Sequence, residues 1–177
     1  LDKEFKLAIK AIKEESYGVY RPCINNIDHW FSEKTRIELG RLKTFIDSIS
    51  DQDIKDFFKV CMISIIKKVS YADDMSPKPY VSTKIIKKPP TVEREFTNIF
   101  NRYLQMEQEL HKIKNLGATK LLEGDALNFK LDTRVDMAIT SPPYINAFDY
   151  GRTMRLENLW LGTLTEDSLR AKKANYV

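Results

Sequence analysis

The sequence predicts a chain of mixed α/β class, with a mainly α-helical region over 1–116 followed by part of a parallel α/β sheet over 117–177. Three observations carry this. Apolar residues recur at helical spacing through most of the first 116 positions. After Gly117 that period gives way to short apolar runs between turn residues, and one of them, 134–140 (R-V-D-M-A-I-T), is almost continuous, as in a strand covered on both faces. About eleven residues separate it from an earlier run at 118–122, close to the minimum for a crossover between parallel neighbours.

Taken in order, Leu1, Phe5, Ala8, Ile9 and Ile12 share one face of a first helix that ends before Gly18. Ile37, Leu42, Phe45, Ile46 and Ile49 mark a second, with Ser32 as its N-cap and Gly40 as a weak position inside it. A third repeats Ile54, Phe57, Phe58, Cys61, Met62, Ile65, Ile66 and Val69 at i, i+3, i+4, i+7, so its apolar stripe must be buried. Ser50 and Asp53 resemble a capping box there, and Lys67 and Lys68 suit the negative end of the helix dipole.

Pro77, Pro79, Pro89 and Pro90 break the pattern over 70–90, which reads as a long exposed basic loop. Its Lys84, Lys87 and Lys88, interleaved with Tyr71 and Tyr80, fit either a solvated surface or a nucleic-acid backbone. From Thr91 helical spacing resumes through Val92, Phe96, Ile99, Phe100, Tyr103, Leu104, Leu110 and Ile113, and the expected end lies near Gly117. A helix from about Arg152 to Trp160, closed by Gly162, and a short Thr165-capped helix to Lys173 complete the chain.

Composition excludes several classes. The 177 residues carry 29 Lys+Arg against 25 Asp+Glu, a net charge of +4, which is mildly basic and far from a polycation. With 42% hydrophobic and 31% charged residues the chain fits a folded protein, not a disordered one. No window approaches about 18 consecutive apolar residues, so no membrane span is expected. Two cysteines, Cys23 and Cys61, stand 38 positions apart and only two histidines occur, so neither a disulfide framework nor a metal centre is expected. That cysteine usage suits a reducing, cytoplasmic compartment. No two of the six glycines lie within five residues of each other, which removes both a G-x-G-x-x-G turn and a Walker loop.

The chemistry is expected in the loop that follows 134–140, because ligands of open α/β sheets bind beyond the carboxyl ends of the strands. Thr140 leads there into Ser141, Pro142, Pro143 and Tyr144. A Pro-Pro pair alone is weak, expected about once in 400 positions at ordinary proline frequency. Here it lies between a hydroxyl and an aromatic, and two prolines make a stiff turn that lacks two N–H donors and leaves carbonyls as free acceptors.

The stretch Leu122, Glu123, Gly124, Asp125 and Ala126, then Val135 through the S-P-P-Y quartet to Ile145, Asn146, Ala147, Phe148, Asp149 and Tyr150, then Trp160, Leu161 and Gly162, resembles the S-adenosylmethionine-dependent DNA amino-methyltransferases. The resemblance favours their cytosine-N4 branch, is close over about 118–162, and extends more loosely to N-I-D-H-W-F at 26–31 and the third helix. It implies a partial Rossmann-like methyltransferase sheet and base flipping from duplex DNA. Ser141, Pro142, Pro143 and Tyr144 would be catalytic, with the Ser141 side chain and Pro142 carbonyl accepting the amino hydrogens and Tyr144 stacking on the base. Gly124, Asp125 and Thr140 would meet the cofactor, Asp125 through its adenine amino group, although Gly-Asp is also an ordinary turn. Asn146, Asp149, Tyr150, Arg152 and Arg155 would face DNA.

The family's glycine-rich cofactor loop and the acidic residue ending its second strand are absent from the 177 residues. The expectation is therefore an internal segment, with missing flanking segments of the same enzyme as its partners and no activity alone. An exposed sheet edge would also allow a homodimer. Adenine-N6 methylation is the alternative within the class, and a non-catalytic helical module binding DNA or protein is the alternative outside it.

Overall fold

Helical periodicity dictates nearly all of the architecture. The computed structural model describes every residue except 116, 123–127, 129, 132, 142–149 and 175–177. Eight helices occur among the described residues: α1 (Asp2–Lys13), α2 (Ile27–Trp30), α3 (Glu33–Ser48), α4 (Gln52–Val69), α5 (Val92–His111), α6 (Tyr150–Thr153), α7 (Arg155–Leu161) and α8 (Glu166–Ala174).

Helix α4 is the centre, packed against α3, α5 and α7, and α1 lies on α3. Its stripe is buried as its spacing requires, with Phe58, Cys61, Met62, Ile65, Ile66 and Val69 all fully covered. Phe5 of α1 stacks on Phe100 of α5 with centroids 4.1 Å apart, and Phe58 meets Phe100 and Phe96 at 5.6 and 6.0 Å. A second aromatic group forms where α7 docks: Phe31 meets the buried Trp160 edge-on at 5.7 Å and Tyr20 lies 6.4 Å from it. Each such fully buried large side chain contributes about 1.5–3 kcal/mol of burial free energy.

Local capping sets the helix starts. Ser32 accepts a hydrogen bond from Thr35 N–H at 3.1 Å, as its position suggested, and Thr91 accepts one from Arg94 N–H at 3.3 Å. The capping residue of α4 is Asp51, which accepts from Ile54 N–H at 3.0 Å, and not the Ser50 of the expected box. Helix α5 ends at His111, short of Gly117. Gly162 closes α7 in the left-handed region at φ 74°, the conformation that favours glycine.

Gly40 has a role that its helical position concealed. The extended 19–22 segment crosses α3 here, and Tyr20 N–H donates to the Gly40 carbonyl at 3.1 Å. A Cβ on Gly40 would lie 2.4 Å from the Tyr20 carbonyl oxygen and 2.7 Å from Val19 Cγ1. The bare backbone is what lets the two segments touch.

The expected α/β class is overturned. No strand occurs among the described residues, and the runs at 118–122 and 134–140 are not extended ladders. Val135, Met137 and Ile139 are 57%, 75% and 90% exposed, the opposite of coverage on both faces. An apolar run becomes a strand only where neighbouring strands satisfy its N–H and C=O groups, and among the described residues neither run has such a neighbour. The partial Rossmann-like sheet is therefore not present among the described residues, and they offer no sheet edge on which a homodimer could form. No described helix is long and apolar enough to cross a membrane.

Candidate functional site

The S-P-P-Y turn begins in the exposed segment after 134–140. Thr140 and Ser141 are both exposed, and the Thr140 hydroxyl reaches the Ser141 carbonyl at only 3.5 Å, the outer limit of a hydrogen bond. Pro142, Pro143, Tyr144, Asn146 and Asp149, like Gly124 and Asp125, lie outside the described residues. The described chain resumes at Tyr150, the first residue of α6, and α7 follows it against the helical body.

That attachment is built with care. Leu156, Leu159 and Trp160 sink into the core, fixing α7 against α4. Arg155 does not face open solvent as a phosphate ligand would. Its Nε donates to Glu166 Oε2 at 3.2 Å, Nη2 binds Glu166 Oε1, and its guanidinium lies 5.7 Å from the Trp30 ring centre. Glu166 also accepts the Asn25 N–H at 3.2 Å. Burial pushes the Glu166 carboxyl up, but the hydrogen bonds and charge of Arg155 with the Asn25 N–H outweigh it, and the net shift is downward. Arg152 is exposed on α6.

Beside this, Glu157 is 8% exposed and its Oε2 has no hydrogen-bond partner among the described residues. Burial raises its pKa, and its own backbone N–H and the Lys67 charge offset this only in part. It borders an open cleft of about 640 Å³ with Ser64, Lys67 and Lys68 of α4.

The basic loop divides. Lys84 and Lys88 are exposed and available to an anion. Lys87 turns inward, where its ammonium donates to the Lys67 carbonyl at 3.0 Å and the Ala72 carbonyl at 2.9 Å and pairs with Asp74 at 2.7 Å. It caps the C-terminus of α4, where a cation is favoured by the helix dipole. Far from being a loose arm, the loop is pinned by Tyr71 N–H on the Trp30 carbonyl and by Asp73 N–H on the Tyr80 carbonyl, both at 2.8 Å.

A cavity of about 500 Å³ escaped the sequence reading. It lies between the 19–22 segment, α3 and Trp160, and three arginines, Arg21, Arg36 and Arg41, line it. Burial first, then the charge of Asp47, raises the pKa of Tyr20 on its wall, which keeps the hydroxyl neutral. Only the i, i+4 spacing of Ile37 and Arg41 on α3 was visible in advance, and a spacing does not announce a cavity.

No group of His, Cys, Asp and Glu able to hold a metal occurs among the described residues. The chain is similar to Type II methyltransferases. The Type II methyltransferase M.MvaI of Kocuria varians is 27% identical to it across 88% of this chain and 37% of that protein. The Type II methyltransferase M.BsoBI of Geobacillus stearothermophilus is 30% identical across 61% of this chain and 27% of its own length. The chain thus spans about a third of the length of the curated relatives it matches. No family model and no solved structure matches it.

Proposed function

We propose that the chain is part of an S-adenosylmethionine-dependent DNA methyltransferase that modifies the exocyclic amino group of cytosine at N4 in duplex DNA, within a restriction-modification or related DNA-modification system. The observation that carries this reading is the quartet Ser141, Pro142, Pro143 and Tyr144, in a chain similar to two Type II methyltransferases.

The chemistry follows from the amino group. Its lone pair is conjugated with the base, so the nitrogen is a poor nucleophile until acceptors draw on its two hydrogens. Ser141 Oγ and the Pro142 carbonyl would be acceptors of the right kind, and two successive prolines restrict the backbone torsions that present them. Tyr144 offers a face on which a flipped base stacks. No nucleophilic cysteine is needed, and Cys61 is unsuited to be one, since burial pushes its thiol up to about 12. Orientation and preorganised dipoles do the work.

S-adenosylmethionine would supply the methyl group as a sulfonium. The described residues fit its site only in part: Thr140 and Ser141 are exposed, so the two hydroxyls alone do not enclose it. The remainder of a protein as long as the relatives would complete that site, and Lys84, Lys88 and Arg152 would approach the phosphates.

Methylation of duplex DNA by the complete protein, followed by digestion to nucleosides, tests the reading. N4-methylcytosine is the expected product, and N6-methyladenine would move the assignment to the other base. Undiminished turnover in both Ser141→Ala and Tyr144→Ala would refute it.

A further inference from the structure

Five buried side-chain nitrogen or oxygen atoms lack a hydrogen-bond partner among the described residues, and three of the five are N–H donors: Arg36 Nε, Arg41 Nε and Trp160 Nε1. All three residues line the one cavity of about 500 Å³ beside α3. A buried donor without an acceptor is costly and uncommon in native proteins, so three at one place call for a ligand that supplies oxygen. Trp160 is wholly buried, and its ring cannot turn toward solvent to satisfy the indole N–H.

Charge selects the ligand. Arg21, Arg36 and Arg41 face Glu33, and Arg36 also holds Asp28 at 2.7 Å. The lining itself holds three guanidinium groups and one carboxylate, Glu33, so it is net positive, while Asp28 pairs with Arg36 and Glu38 acts on Arg41 from outside it. Neither Arg21 nor Arg41 makes an ion pair within 4.0 Å among the described residues. Tyr20 and the aliphatic Ile27 and Ile37 supply an apolar wall that would cover a ligand's uncharged body. The site stands on the rigid face of α3, where Glu33, Ile37 and Arg41 follow at i, i+4, i+8, opposite the segment that Gly40 admits.

We propose that this cavity is a phosphate site that takes the phosphate of a nucleotide, either free or within a DNA strand, with Arg21 and Arg41 as its forks and Trp160 Nε1 as a third donor. Its anion chemistry is independent of the methylation reading, and only the strand as its source rests on that reading.

The two tryptophans, Trp30 and Trp160, give two indole N–H signals in a proton–nitrogen NMR spectrum, and Trp30 serves as the internal reference. The chain is titrated in turn with inorganic phosphate, a mononucleotide and a short duplex. The Trp160 signal should move saturably while that of Trp30 stays. Arg21→Gln and Arg41→Gln should each raise the midpoint about tenfold, the effect of losing one charge-assisted hydrogen bond. Movement with duplex places the phosphate in a strand, and movement with phosphate or mononucleotide alone supports the site and assigns the free ligand. A Trp160 signal indifferent to all three probes, or midpoints unchanged in both variants, overturns the proposal. That result would leave the Ser141→Ala methylation assay to judge the enzymatic reading separately.

Discussion

Replacing Gly40 with alanine pits two rules against each other. In an exposed helix interior the change stabilises by up to about 1 kcal/mol, because alanine loses less backbone entropy than glycine. Here the new Cβ would meet the Tyr20 carbonyl oxygen at 2.4 Å and Val19 Cγ1 at 2.7 Å, closer than real contacts allow. The first neighbour is backbone, so no side-chain rotation relieves it. The 19–22 segment must withdraw, breaking the Tyr20 N–H to Gly40 carbonyl bond, worth about 1 kcal/mol, and adding an overpacking cost of about 1–3 kcal/mol. Set against the helical gain, the net loss is about 1–3 kcal/mol. At about 2–4 °C per kcal/mol for a chain of this size, Tm should fall by roughly 2–12 °C when helical circular dichroism is followed during heating. A Gly40→Ala chain that melts at or above the parent would refute the crossing of the two segments at this point.

Other outcomes follow from single side chains. Lys87→Ala, which removes the ammonium that caps the Lys67 and Ala72 carbonyls, should cost about 1–3 kcal/mol in urea unfolding, whereas Lys84→Ala should change stability by less than about 0.5 kcal/mol. Of the two thiols, only Cys23 should react promptly with a disulfide reagent in the native chain, and both should react in denaturant, because Cys61 is buried with its thiol pushed up to about 12. The buried Glu157 and the half-buried Glu166 should pull the pH dependence in opposite directions. Glu166 has a lowered pKa, so its contribution is full above the ordinary carboxylate range and fades as acid titrates the folded pair; Glu166→Gln should therefore destabilise at neutral pH and lose its effect in acid. Glu157 has a raised pKa, so its ionised form opposes folding; Glu157→Gln should stabilise at neutral pH, and the difference should vanish once the pH falls below the unfolded value. Both are read from unfolding midpoints across the acid range.

The helices were legible because their apolar residues repeat at a period that only one backbone geometry satisfies, and in α4 six of the eight stripe residues are buried, with Ile54 and Phe57 partly covered. Ser32 and Gly162 were legible for the same local reason: caps depend on neighbours within a turn. The strands failed because a run such as 134–140 records only that its residues are apolar. Whether they are covered depends on other segments, and Met137 and Ile139 stand in solvent. In the candidate site, the S-P-P-Y quartet could be found as a string, but the partners of Arg155 and Lys87 could not. Glu166 and the Lys67 carbonyl reach them through tertiary packing, which no spacing encodes.

Trp160 reaches the core from far along the chain, meeting Phe31 and Tyr20 across about 130 positions, and Asn25 waits equally long for Glu166. A ribosome adding about 5–20 residues per second leaves an interval of roughly 6–26 s in which the N-terminal helices exist without their closing indole. During that interval Phe31 and the wall beside it are without the indole that covers them in the folded chain. The order of synthesis thus makes the W-L-G helix the last of the fully buried parts of the described core to arrive.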